Sequence, residues 1–289
     1  ATWQSLNVLE KKAKNEHSTE FKEFCEGINT IIIDEVHMAK ADVLKRLLTG
    51  PFAHCGIRWG LTGTVPKADY EFMGLKCSIG EVANRIQASE LQDKGVLANC
   101  HVNVLQTQDH PQFKTYGEEL KWLTTDITRM SWVANTIKDI ATSGNTLILV
   151  DRISAGEILE KKIKDSVFVS GSTKNMDRKE QYDEISTATN KVIIATYGVA
   201  AVGINIPRIF NLVLIEPGKS FVRVIQSIGR GIRKAEDKDS VQIWDITSSC
   251  KFAKRHLGAR KKFYKEANYP YNICLLYTSD AADEGLGVD

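Results

Sequence analysis

The chain has 289 residues, 43% hydrophobic and 26% charged, a size that predicts about two globular domains with cores of their own. Its 38 basic and 36 acidic residues leave a net charge of +2, so no chain-wide field marks a polyanionic partner and any nucleic-acid site must be local. No stretch approaches the roughly 18 apolar residues of a membrane helix and no charged-then-apolar leader opens the chain, so the expectation is a cytoplasmic protein with no membrane partner.

The opening Ala1-Thr2-Trp3-Gln4-Ser5-Leu6 reads as the interior of a folded element, and sequence upstream is expected to be missing. Residues 30–33, Thr-Ile-Ile-Ile, form a β-branched run that predicts a strand buried on both faces, ending at Asp34-Glu35-Val36-His37. A helix-like segment at 39–48 and strand signals at 57–61 and 102–105 continue the first third, the first of these strands running into Thr62-Gly63-Thr64. An amphipathic helix is expected over 117–143, ended by Gly144. Strand candidates then recur at 146–150, 166–169, 191–196, 211–215 and 240–244 with helical patterns between them, which predicts a doubly wound parallel sheet with its chemistry in the loops after the strands.

Six cysteines at 25, 55, 77, 100, 250 and 274 contain no C-x-x-C pair, so buried reduced thiols are expected rather than a disulfide framework or a zinc site. The string from Cys274 to Asp289 changes character abruptly and resembles a translated sequencing adapter; it is expected to be a non-native tail outside the fold.

Asp34 and Glu35 follow an apolar strand, where one carboxylate can hold a magnesium-bound phosphate and its neighbour can orient or deprotonate water. A D-E pair there is also compatible with a solvated loop, and His37 with a structural histidine. The hydroxyls of Thr62 and Thr64 on their tight turn are placed to reach across to His37. Gln226-Ser227-Ile228-Gly229-Arg230-Gly231-Ile232-Arg233 is the most specific stretch: Arg230 and Arg233, three apart on one helical face, can point at one polyphosphate, with Gln226 one turn before Arg230. Residues 195–207 follow a strand with small residues that let a ligand approach backbone; Thr196 offers a hydroxyl to phosphate, and Gly203 with Asn205 can meet a nucleotide's sugar. Close helix–sheet packing explains the same small residues. The segment 246–265 contains no Asp or Glu and seven cations, Lys251, Lys254, Arg255, Arg260, Lys261, Lys262 and Lys265. It reads as a phosphate-binding surface, as an amphipathic helix packing its aromatics, or as both.

In order and spacing these stretches resemble the superfamily 2 helicases: Asp-Glu-Val-His as motif II, Thr-Gly-Thr as motif III, residues 148–152 as motif IV, 196–207 as motif V and Gln-x-x-Gly-Arg-x-x-Arg as motif VI. The opening Thr-Trp-Gln-Ser-Leu looks like motif Ic, and the basic aromatic ending resembles the UvsW-type recombination helicases of phages. The resemblance implies an α/β fold of two RecA-like lobes with parallel doubly wound sheets, the first incomplete. It divides the chain into a first lobe over 1–108, a linker and helix over 109–144, a second lobe over 145–248, a basic helix over 249–273 and the tail 274–289. It further implies a monomer that uses ATP and Mg2+ on branched DNA, in a phage's host cytoplasm. RNA helicases, restriction-type translocases and non-catalytic annealing modules share the fold.

By the same resemblance Asp34, Glu35, His37, Arg230 and Arg233 are catalytic, Asp34 and Glu35 holding the metal. Gly203, Asn205, Gln226, Arg230 and Arg233 bind nucleotide, and Thr62, Gly63 and Thr64 couple hydrolysis to movement. Gln4, Arg152, Ser170, Gly171, Thr196, Lys219, Lys261 and Lys262 grip nucleic acid. One departure stands out: no G-x-x-x-x-G-K-[ST] loop precedes Asp34, and the Gly218-Lys219-Ser220 triplet has Val213 where the first glycine is required. The fragment is therefore expected to lack its main phosphate cradle and to be inactive alone.

Overall fold

The computed structural model describes residues 1–38, 42–63, 65, 69–171, 188–203 and 206–277. They fall into two compact units that divide between Arg85 and Ile86.

The first unit carries helices α1 (Trp3–Asn15) and α2 (Glu20–Glu26), strand β1 (Thr30–Ile33), α3 (Asp42–Thr49), β2 (Ile57–Gly60) and α4 (Asp69–Ser78). Its small core gathers Cys25, Leu47, Phe52 and Cys55. β1 and β2 pair in parallel, Thr30 opposite Ile57 and Ile33 opposite Gly60. The expectation of a strand buried on both faces is corrected here: Ile32 is 67% exposed and Trp59 62%, because the sheet has two strands and the described part of this unit covers only one face.

The second unit runs through α5 (Ala88–Asp93), β3 (Asn99–Gln108), α6 (Tyr116–Thr125), α7 (Ile127–Ala141), β4 (Thr146–Val150), α8 (Ile153–Lys162), β5 (Ser166–Val169), β6 (Val192–Thr196), α9 (Tyr197–Gly203), β7 (Asn211–Ile215), α10 (Phe221–Gly231), β8 (Ser240–Ser248), α11 (Lys251–Glu266) and β9 (Tyr271–Tyr277). Seven parallel strands lie in the order β5-β6-β4-β7-β8-β3-β9. Because strand side chains alternate between faces, Leu147 and Leu149 face a cluster with Val224, Ile228, Leu257 and Tyr264, whereas Ile148 and Val150 face one with Met130, Val133 and Ile137. Helices thus cover both faces, α10 and α11 on one and α7 and α8 on the other. This is the doubly wound parallel α/β arrangement that the apolar runs predicted.

Three boundaries differ from the sequence reading. β3, read as part of the first lobe, pairs with β8 from Asn99 to Thr107 and belongs to the second unit, which the local pattern of one strand does not reveal. The helix expected over 117–143 is two: α6 ends at Asp126, whose Oδ1 accepts the Arg129 amide at 2.8 Å and caps α7. The ordered chain also continues past 273, since Cys274 to Tyr277 pair with Leu105 to Gln108 as the end of β9; residues 278–289 lie outside the described residues.

Candidate functional site

In the first unit the chain leaves β1 through a tight turn that returns to the end of β2: the Leu61 amide donates to Ile33 O at 2.8 Å and the Val36 amide to Leu61 O at 2.9 Å. This turn carries Asp34 and Glu35. Glu35 has φ +49°, a left-handed conformation uncommon for a non-glycine residue, and its amide donates to Asp34 Oδ1 at 2.8 Å. Gly60 packs closely against the residue that follows Glu35, since an added Cβ would lie 3.0 Å from Val36 Cγ1. His37 is buried, with Nδ1 2.8 Å from the Thr62 hydroxyl and 3.2 Å from Glu35 Oε2. Unprotonated, Nδ1 accepts from Thr62; protonated, it donates toward the carboxylate. The contact expected between the two turns is present through Thr62, Gly63 is exposed beside it, and Thr64 lies outside the described residues.

Asp34 and Glu35 are exposed neighbouring carboxylates, hard oxygen donors of the kind magnesium accepts together with phosphate oxygens and water. Among the described residues no group of three or more His, Cys, Asp or Glu is placed to hold a metal, so a divalent cation here would complete its shell from substrate and solvent. Gln4 is exposed on α1 of the same unit.

The second unit collects its polar residues after β4, β6 and β7, on either side of the point where strand order reverses. Asp151 follows β4 and accepts from Arg223 of α10 at 2.6 Å, while the Arg223 guanidinium lies 5.1 Å from the Tyr197 ring centre. Arg152, half-buried, donates to Gly117 O at 3.3 Å, and its Nε is buried with no protein partner. After β5, Ser170 is buried and Gly171 exposed. Thr196 turns its hydroxyl to the Val199 amide at 3.4 Å, capping α9. Gly203 ends that helix, and Asn205 lies outside the described residues.

After β7 the buried Glu216, at φ +42°, accepts from Arg129 at 2.8 Å and Thr247 at 3.1 Å. Burial pushes its carboxyl up to about 7, opposed by Arg129 and Arg260. Gly218, at φ +72°, turns the chain, Lys219 is exposed, and Ser220 caps α10 by accepting the Arg223 amide. The triplet is thus a helix cap rather than a phosphate loop.

Gln226 and Arg230 sit one turn apart on α10, both half-buried. The expectation that Arg233 shares their helical face is corrected: α10 ends at Gly231, and Arg233 forms an antiparallel bridge with Leu97. Gly231 packs where a Cβ would come within 3.2 Å of Leu212 Cδ2, so close approach to β7, not a ligand, accounts for this glycine. The buried Lys238 Nζ then donates to Pro207 O at 3.0 Å, Gly231 O at 2.5 Å and Arg233 O at 2.9 Å, holding the end of α10 to the segment after α9. Arg223 and Lys238 carried no signal in the sequence, since their partners are distant in the chain. Arg260, counted among the surface cations, is fully buried; Lys261 is half-buried and Lys262 exposed.

The model of the family described as helicase conserved C-terminal domain matches residues 128–235. The ATP-dependent DNA helicase uvsW of Enterobacteria phage T4 is 26% identical over 259 residues, covering 86% of this chain and 51% of that protein. The crystal structure of T4 UvsW superposes with a TM-score of 0.55 at 21% identity, over 89% of this chain and 56% of that one. A DNA-bound ATP-dependent Type ISP restriction-modification enzyme, LlaBIII, gives a TM-score of 0.65 at 15% identity, over 96% of this chain and 23% of that one. The chain spans about half the length of the curated relatives it matches. Residues 128–235 thus match the helicase conserved C-terminal domain, and most of the chain is similar to a UvsW-type helicase of superfamily 2.

Proposed function

We propose that the chain is part of an ATP-dependent DNA helicase or translocase that acts on branched DNA in recombination and repair. The observation that carries the reading is the Asp34-Glu35 turn, held at the end of β1 in a left-handed conformation and tied through His37 to Thr62 after β2. A strained carboxylate turn linked to a neighbouring loop gives a hydrolytic group and the loop that senses it. Asp34 and Glu35 would hold a magnesium ion, which would neutralise phosphate charge. Glu35 Oε takes the proton of the attacking water, and His37 keeps that carboxylate oriented. Arg230 and Arg233 stabilise charge on the transferred phosphoryl group, Gln226 and Gly203 serve nucleotide binding, and Asn205 belongs with them by sequence. Gln4, Arg152, Ser170, Gly171, Thr196, Lys219, Lys261 and Lys262 contact nucleic acid. The name of the T4 relative, a DNA helicase, supports DNA as the substrate class.

No G-K-[ST] loop precedes Asp34 in this sequence, so the 289-residue chain alone is expected not to turn over ATP. The test is DNA-stimulated ATP hydrolysis by a protein that carries this chain behind such a loop. Glu35→Gln is expected to lower turnover by about 10² to 10⁴-fold. Undiminished turnover removes Glu35 from the chemistry, and equal stimulation by linear and branched DNA removes the branched substrate.

A further inference from the structure

Helix α11 divides its side chains cleanly. Ala253, His256, Leu257, Arg260 and Tyr264 are buried. The six remaining cations, Lys251, Lys254, Arg255, Lys261, Lys262 and Lys265, fall within about 120° of the helix circumference at 100° per residue, in a stripe about 21 Å long. Gly258 lies exposed in the middle of the same stripe and leaves its surface open. Among the described residues none of the six forms an ion pair with a carboxylate, and the helix's only acidic residue, Glu266, is its last.

This arrangement works against the helix itself. Lys251 with Arg255 and Lys261 with Lys265 are like charges at i,i+4, and Lys251 with Lys254 and Lys262 with Lys265 are like charges at i,i+3. Each such pair costs a few tenths of a kcal/mol. Lys251 and Lys254 also stand at the positive end of the helix dipole, where a carboxylate is favoured. That end is instead closed from outside by Glu119 of α6, which accepts the Phe252 amide at 3.0 Å and the Ala253 amide at 2.7 Å. A solvated face gains nothing from such segregation, whereas an external polyanion does.

We infer that the outer face of α11 is a nucleic-acid surface, a cationic stripe that follows the phosphodiester backbone of a duplex separately from the helicase motifs. The stripe length equals the rise of about six base pairs, one cation per step. A lipid surface fits less well, because the apolar face that would enter a bilayer is already buried in the sheet's core through Leu257 and Tyr264. The inference rests on the reading that the chain binds nucleic acid, and it adds a contact that the motifs do not supply.

The test is fluorescence anisotropy of the 289-residue chain with a labelled DNA duplex over a salt series, comparing the unaltered protein with Lys254→Gln/Arg255→Gln/Lys265→Gln. All three side chains are exposed, and unchanged thermal melting checks that the fold is kept. Losing three phosphate contacts is expected to reduce the slope of log K against log salt by about 2 to 3, with affinity down on the order of 10²-fold near 0.1 M salt. Binding by both proteins with the same slope overturns the stripe alone. No binding by the unaltered chain overturns the stripe together with the nucleic-acid part of the proposed function.

Discussion

Arg260 has no exposed surface, and its charge is met by a bidentate contact with Asp245 at 2.8 and 2.9 Å, while Nη1 donates to Gly218 O at 2.8 Å. The Tyr264 hydroxyl donates to the same carboxylate at 2.8 Å. Breaking such a pair from one side strands the other charge without water. Asp245→Ala is therefore expected to destabilise the second unit by about 3 to 5 kcal/mol, read as a lower urea midpoint. An unchanged midpoint would show that the arginine finds other partners. The first unit has a smaller analogue in Glu10, which accepts from Arg46 at 2.8 Å and lies 2.9 Å from Lys14. The Arg46 hydrogen bond, with Lys14 adding to it, holds its carboxyl down at about 2. A lowered acid contributes stability above its unfolded value and loses it as pH falls, here from about 4.5 toward 2. The first unit is expected to lose about 1 to 3 kcal/mol over that window, and Glu10→Gln to flatten the dependence; an equally steep acid transition in the variant would assign it to another group.

The ends of helices, more than their middles, separate the expected elements from the observed ones. Asp126 interrupts what reads as one amphipathic run because its side chain caps the second helix while its own backbone is extended. Gly231 ends α10 before Arg233, so a three-residue spacing that suits one helical face is not used as one. Gly144 was legible as a stop, and the structure gives the reason: it holds φ +144° between α7 and β4, and an added Cβ would lie 2.8 Å from Phe210 Cβ. Gly144→Ala combines backbone strain with a clash against another residue's Cβ. It is expected to destabilise by about 1 to 3 kcal/mol in the same urea assay, and a neutral result would mean that the turn relaxes.

At the scale of the molecule, a net charge of +2 conceals both a cationic stripe on α11 and a charged core beneath it, and the two differ by about half a helical turn in side-chain direction. Arg260 belongs to the same run of basic residues as Lys261 and Lys262, and nothing local marks it as the one that faces inward. The unit boundary is likewise a tertiary fact. β3 has an ordinary apolar pattern, and only its pairing with β8 and β9 assigns it to the second sheet. By itself the sequence determined the α/β class, most strand positions and the order of the motif residues, because apolar periodicity and residue spacing are local properties of the chain. Only the tertiary structure decided which sheet each strand joins, that Lys238 holds the end of α10 and that Arg260 is buried, because each of these depends on a partner distant in sequence.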